Sequence, residues 1–217
     1  MSWRVLVSFL LCGCNALAGL DDLAFTSNEA ASSTSSSGGA GGMPGNGGEG
    51  GEGGDGGCVP SAGNKRVFVT SDFFTAGRFG GLRGADGICQ AAADGISLGG
   101  CWRAWLSDAA TAAPERICPG GPWHNMRGAI VASDCGDLLN GDLQSPIGFT
   151  QNAVPVSVGV WTGADASGAM AADCLGWTSE DPAQEGLQGV SDASSASWTA
   201  SGVTTCNDVG SFYCFEL

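Results

Sequence analysis

Apolar and polar positions alternate in four short stretches of the chain. RVFVTS (residues 66–71) is rich in β-branched residues and has the period of two that marks a strand. WRAWLSD (residues 102–108) alternates too, placing Trp102, Ala104 and Leu106 on one side and Arg103 and Trp105 on the other. VGVWTG (158–163) and GSFYCFEL (210–217) predict further strands. Between the first two the spacing changes. In ADGICQAAADGI, Ile88, Ala92 and Ile96 recur at four-residue steps, which predicts a helix of about three turns over 85–96, weakened by Gly87 and Gly95. Gly77, Gly80, Gly81 and Gly84 mark a loop before it, and the long Gly, Ala, Ser and Asp stretches elsewhere read as loops. Strand, helix, then several strands separated by long loops is an α+β layout.

The first residues follow another pattern. Arg4 and the free amine precede an apolar run over residues 5–11, too short to cross a bilayer core of roughly 30 Å, so it predicts an export signal. Leu11-Cys12-Gly13-Cys14 resembles a lipobox, in which the last cysteine is acylated and becomes the new N-terminus. Ala16-Leu17-Ala18 offers ordinary secretory cleavage as the competing reading. The lipobox reading makes residues 1–13 a signal peptide and Cys14 the lipid attachment site, and it leaves eight of the ten cysteines, an even number able to pair fully. Residues 14–57 are then a tether, nearly all serine over 32–37 and mostly glycine over 38–57, where nothing can bury a core, and it spans about 35–40 Å on average for a flexible chain. Residues 58–217 are the folded domain.

Composition narrows the function classes. A chain of 217 residues fits one ordinary domain with extensions. Its 8 Lys and Arg against 22 Asp and Glu argue against a nucleic-acid partner, which requires clustered cations. No Lys or Arg follows Arg127, although the same stretch holds eleven Asp and Glu. That anionic half reads first as a solvated, self-repelling surface and second as a match for a cation or basic ligand. Cysteines this numerous, with no CxxC pair and one histidine, predict disulfides in an oxidising compartment rather than zinc sites.

Three segments together carry a resemblance: GADGICQAAADGISLGGCWRAWLSD, then VWTGADASGAMAADCLGWTS, then TTCNDVGSFYCFEL. In this order they resemble the endostatin module of collagen XV and XVIII, and more closely a bacterial family of endostatin-like domains carried by lipoproteins. The resemblance covers roughly residues 66–217. It implies a C-type lectin-like fold, α+β and disulfide-stapled with long loops, whose last strand returns beside the first. It also implies a bond between Cys89 in the helix and Cys214 in the last strand, and a nested bond Cys174–Cys206. The chain-entropy estimate for closing such loops is about 5 and 4 kcal/mol. Cys58, Cys101, Cys118 and Cys135 remain, with three pairings open. Cys118–Cys135 is preferred because both lie in one Gly-rich excursion, leaving Cys58–Cys101 at the base of the tether.

Candidate chemistry is sparse. Trp102, Trp105, Trp161 and Trp177 sit in or beside strand motifs and read as core, whereas Trp123 and Trp198 fall in predicted loops and, with Asp181, form the candidate ligand face. The calcium-lectin motifs are missing: Glu180-Asp181-Pro182 stands where the proline loop would be, and Asn207-Asp208 lacks the preceding tryptophan. No cofactor and no metal site is expected. Calcium is the one candidate, at SDCGDLLNGD (133–142), but its spacing fits no EF-hand and a solvated turn is the preferred reading. Endostatin's zinc histidines and heparin-binding arginines have no counterparts here. His124 lacks a hydrolase motif around it, and adjacent Glu180 and Asp181 do not face each other across a cleft, so no enzyme is expected. The expectation is a monomeric lipoprotein at the bacterial cell envelope, on the outer membrane or cell surface. It would be membrane-bound through its lipid and display a non-catalytic binding or adhesion domain for a protein or polysaccharide. A structural envelope protein without a discrete ligand is the alternative, with a hydrolase ranked behind it.

Overall fold

The computed structural model describes residues 58–217. The expected signal peptide (1–13), the expected lipid attachment at Cys14 and the expected tether to residue 57 lie outside the described residues.

The described chain is an α+β fold closed by four disulfides. Its centre is a five-stranded sheet in the order β3 (Trp102–Ala104), β10 (Tyr213–Glu216), β1 (Lys65–Val69), β4 (Trp123–Asn125), β5 (Ile130–Ala132). β10 runs antiparallel to both β1 and β3, with Val67 opposite Phe215 and Cys214 opposite Ala104. β4 runs parallel to β1, with Lys65 opposite Trp123. A second sheet joins β6 (Gly159–Trp161), β7 (Glu185–Val190) and β8 (Gly202–Thr205), and a small ribbon pairs β2 (Phe74–Thr75) with β9 (Val209–Gly210).

Alternation along the strands divides the core between two faces. Val67, Val69, Trp105, Tyr213 and Phe215 join one buried cluster, and Phe68, Trp102, Ala104, Leu106 and Cys214 join the other. The second cluster is covered by α1 (Gly81–Asp94), whose buried stripe is Ala85, Cys89 and Ala93. The stripe read from the sequence was one residue out of phase. Ile96 lies beyond the helix and is exposed, while Ile88 and Ala92 flank the contact. The helix also starts earlier, taking in Gly81 and Gly84, because the chain turns so tightly there that a Cβ on Gly84 would stand 1.5 Å from the Phe79 carbonyl oxygen. Helical turns α2 (Ala113–Ile117) and α3 (Cys135–Leu138) are short. The turn α4 (Cys174–Trp177) is left-handed, with Cys174, Leu175, Gly176 and Trp177 all at positive φ.

The bonds are Cys58–Cys101, Cys89–Cys214, Cys118–Cys135 and Cys174–Cys206. Cys89–Cys214 ties α1 to the sheet across 125 residues, and Cys174–Cys206 closes the loop that runs past β7.

Candidate functional site

The parallel and antiparallel pairings give the central sheet two unlike ends. At one end lie Lys65, Trp123, Trp102 and Glu216, and Cys58 is bonded there to Cys101, next to β3. The Ser61 amide donates to the Leu217 carbonyl at 2.9 Å, so the first and last described segments meet at this end. At the other end β1 finishes at Val69, whose amide donates to the Phe149 carbonyl at 2.9 Å. The β4–β5 hairpin carrying Arg127 turns there as well, since β4 is parallel to β1.

The loop 146–157 is built on that far end. Val156 N donates to Gly148 O and Thr150 N to Val154 O, both at 2.9 Å, folding residues 148–156 into a tight hairpin. Gln151 pins it to Ser71, accepting from the Ser71 amide at 3.1 Å and donating to its hydroxyl at 2.8 Å. Asn125 holds its start, donating from Nδ2 to the Pro146 carbonyl at 3.0 Å. Buried Ser191, just past β7, fastens the base: its hydroxyl donates to Val156 O at 3.1 Å and accepts from Val158 N at 3.0 Å. Its carbonyl accepts from Gly148 N at 2.8 Å. With every polar group of Ser191 engaged, the position of the next residue, Asp192, is fixed as well.

Pro146, Gly148, Phe149, Pro155, Val156, Ser157 and Asp192 line an open depression of about 410 Å³. The volume lies within the usual range for ligand sites, and an apolar lining with few polar groups is the usual composition. Phe149 is half-buried, and the Arg127 guanidinium lies 5.6 Å from its ring centroid. Arg127 is held there by its Nε, which donates to the Ala153 carbonyl at 3.1 Å. Nearby, burial pushes the Tyr213 hydroxyl well above its usual range, with the Asp192 charge adding to the effect. That hydroxyl stays protonated and donates to the Trp198 carbonyl at 2.8 Å.

The candidate ligand face read from the sequence does not form. Trp123 is fully buried at the opposite end of the sheet, its indole donating to the Glu216 carbonyl at 3.0 Å and its ring edge-on to Phe215. Trp198 is fully buried too, 5.1 Å from Trp105 and 5.6 Å from Tyr213 between ring centroids. Both positions come from short elements flanked by Gly and Ser, which sequence reading takes for exposed loop. Asp181 is exposed but turned inward on its own loop, accepting from Ala183 N at 2.9 Å. The face that does form rests on Phe149, Pro155 and Asp192. Its one sequence signal is the run AVPVSV in a long loop, apolar residues with no strand or helix to bury them.

The other candidates are occupied in turns. Asp134 caps α3 by accepting from Asp137 N at 2.9 Å. Asp137 accepts from Ser133 N at 2.8 Å and from the Gln144 amide at 2.6 Å, which holds its carboxyl below the usual range. Glu180 accepts from Thr75 and from Arg78, with its carboxyl lowered for those reasons in that order. His124 is half-buried, and its Nδ1 has no hydrogen-bond partner among the described residues. Among the described residues no group of three His, Cys, Asp or Glu side chains is arranged to hold a metal.

No family model matches the chain, and no curated protein matches it.

Proposed function

We propose that this chain is a cell-envelope lipoprotein whose residues 58–217 form an endostatin-like domain of the C-type lectin-like class. In this reading Cys14 carries the lipid, and the domain binds a protein or polysaccharide ligand without chemistry. The observation that carries the reading is the polarity of the sheet. The segment leading back to Cys14 joins at one end through Cys58–Cys101, and the depression lies at the other. A body held at its root presents that depression outward. The charged side chains support a binding rather than a catalytic reading: Arg66, Arg116, Asp137 and Glu180 are spent on internal bonds, and His124 Nδ1 has no hydrogen-bond partner among the described residues.

Glycan-array and pull-down measurements on the full chain, with and without calcium, test the binding role. Silence in all of them would favour a structural envelope role instead. Replacing Cys14 by Ser tests the anchor: the protein should leave the membrane fraction, and retention there would refute the lipobox.

A further inference from the structure

We infer that the depression takes an extended peptide segment of a partner protein, apolar along its length and carrying a basic side chain that pairs with Asp192. This rests on the proposed binding role and names its ligand class. Shape is the first argument. The depression is open and hairpin-edged, with Val154 at the tip 53% exposed beside exposed Pro155, so the apolar surface continues out of the depression along the loop. Such a surface suits a strand of chain lying across it more than a small molecule enclosed by it.

Charge is the second argument, and it fixes the sign. Asp192 lines the depression, and no hydrogen bond or ion pair from another described residue reaches its carboxylate, unlike Asp134, Asp137, Asp165, Glu180 and Asp208. Its position is nevertheless fixed through Ser191. Every lining residue falls in the stretch after Arg127, which has no Lys or Arg. The chain's net charge of -14 steers cations toward it and polyanions away. Arg127 does not cancel Asp192: it is stacked on Phe149 and held at Ala153, and no ion pair between the two exists. Its Nη groups donate to no acceptor among the described residues, which leaves a fork for a peptide carbonyl at the same rim.

The test is a titration of the full chain, followed by backbone amide resonances, with two probes. One is the capped peptide Val-Pro-Val-Arg-Val-Pro and its citrulline counterpart; the other is a neutral cello-oligosaccharide. Expected are shifts at Phe149, Val156 and Asp192 with the arginine peptide, at least fivefold weaker binding with citrulline, and a similar loss in D192N. Raised salt should weaken the arginine peptide in the wild type and leave D192N little changed. D192N is a surface substitution, and an unchanged spectrum elsewhere verifies its fold. Shifts at the same residues with the oligosaccharide alone would overturn the peptide assignment and leave the binding role standing. Equal binding of the arginine and citrulline peptides, or shifts from neither probe, would also overturn it. The glycan arrays and pull-downs judge the binding role separately.

Discussion

Glu216 grips Arg66 across the paired strands β10 and β1. Arg66 donates from Nε to Oε2 at 2.7 Å, from Nη2 to Oε1 at 2.6 Å, and from its own amide to Oε2 at 2.9 Å. The Ser61 hydroxyl donates to the same carboxylate, and the guanidinium lies over Trp102. This cluster joins the start of the described chain to its last strand, beside the Cys58–Cys101 bond.

Acid should loosen that joint. Burial works to raise the Glu216 carboxyl, but the bonds from Arg66 and Ser61 outweigh it and leave the group below the ordinary glutamate range. A carboxyl lowered on folding contributes stability above its unfolded value of about 4.3, and that contribution disappears as pH falls through the folded value. E216Q should therefore cost about 3 kcal/mol at neutral pH, near the low end for breaking a buried pair because Arg66 is partly solvated. It should also flatten the acid limb below about pH 4. Urea melts of both proteins from pH 7 to pH 2 check this. An unchanged acid limb in E216Q would show that lowered carboxylates elsewhere, such as Asp137 and Asp165, carry the whole effect.

The disulfides should contribute unequally. Cys89–Cys214 spans 125 residues and Cys118–Cys135 spans 17. On chain entropy alone these are worth about 5 and about 3 kcal/mol. The C89A/C214A protein should then melt roughly 10–15 °C below the parent, and C118A/C135A several degrees less far. Calorimetry of the two double variants measures the order. A larger loss from the short loop would mean that native packing around α3 dominates over loop closure.

The readable and unreadable parts of this fold divide along one physical line. Alternation was legible wherever large side chains line both faces: Trp102, Ala104 and Leu106 enter one cluster and Trp105 the other, as WRAWLSD implies. The α+β class followed from such stretches. β7 lies in the stretch between VGVWTG and GSFYCFEL where the pattern predicts no strand, and EGLQGV contains two glycines, which weaken a strand. The glycines are there for space: a Cβ on Gly186 would lie 2.7 Å from Cys174 Sγ, and one on Gly189 would lie 1.8 Å from the Trp198 carbonyl oxygen. The ligand face failed for the same reason in reverse. Trp123 and Trp198, in short elements among small residues, are core anchors whose burial depends on partners distant in the chain, such as Glu216 and Trp105. Local pattern does not report those partners. Phe149 and Asp192 lie 43 positions apart and are brought together by the bonds of Ser191 and the pairing of β6 with β7.

Gly189 gives a direct check on this account. An alanine there must displace the Trp198 carbonyl, which also accepts the Tyr213 hydroxyl at 2.8 Å. Overpacking of this kind costs about 1–3 kcal/mol, and backbone contact puts G189A at the upper end. G202A, in the neighbouring strand with open space around its Cβ position, should cost less than about 1 kcal/mol. Denaturant midpoints for the pair decide the matter. Equal losses would mean that β7 tolerates a side chain at this position and that its glycines reflect something other than crowding.

The left-handed turn α4 leads to the opposite kind of prediction, a stabilising substitution. Leu175 has φ 57° and ψ 55°. That conformation costs a residue with a Cβ about 1–2 kcal/mol, whereas glycine adopts it freely. Its side chain is 62% exposed and therefore returns little by burial. The turn persists because its neighbours are fixed: Cys174 is bonded to Cys206, and the Trp177 indole donates to the Ser107 carbonyl at 2.9 Å. Leu175→Gly relieves the backbone but adds disorder to the unfolded chain, a cost of under about 1 kcal/mol. The balance should be a gain of about 0.5–1 kcal/mol, measured as a higher urea midpoint with unchanged slope. Leu175→Val, β-branched and least suited to positive φ, should lose at least as much. If glycine destabilised the domain, the exposed leucine would have to be making contacts that outweigh its backbone strain.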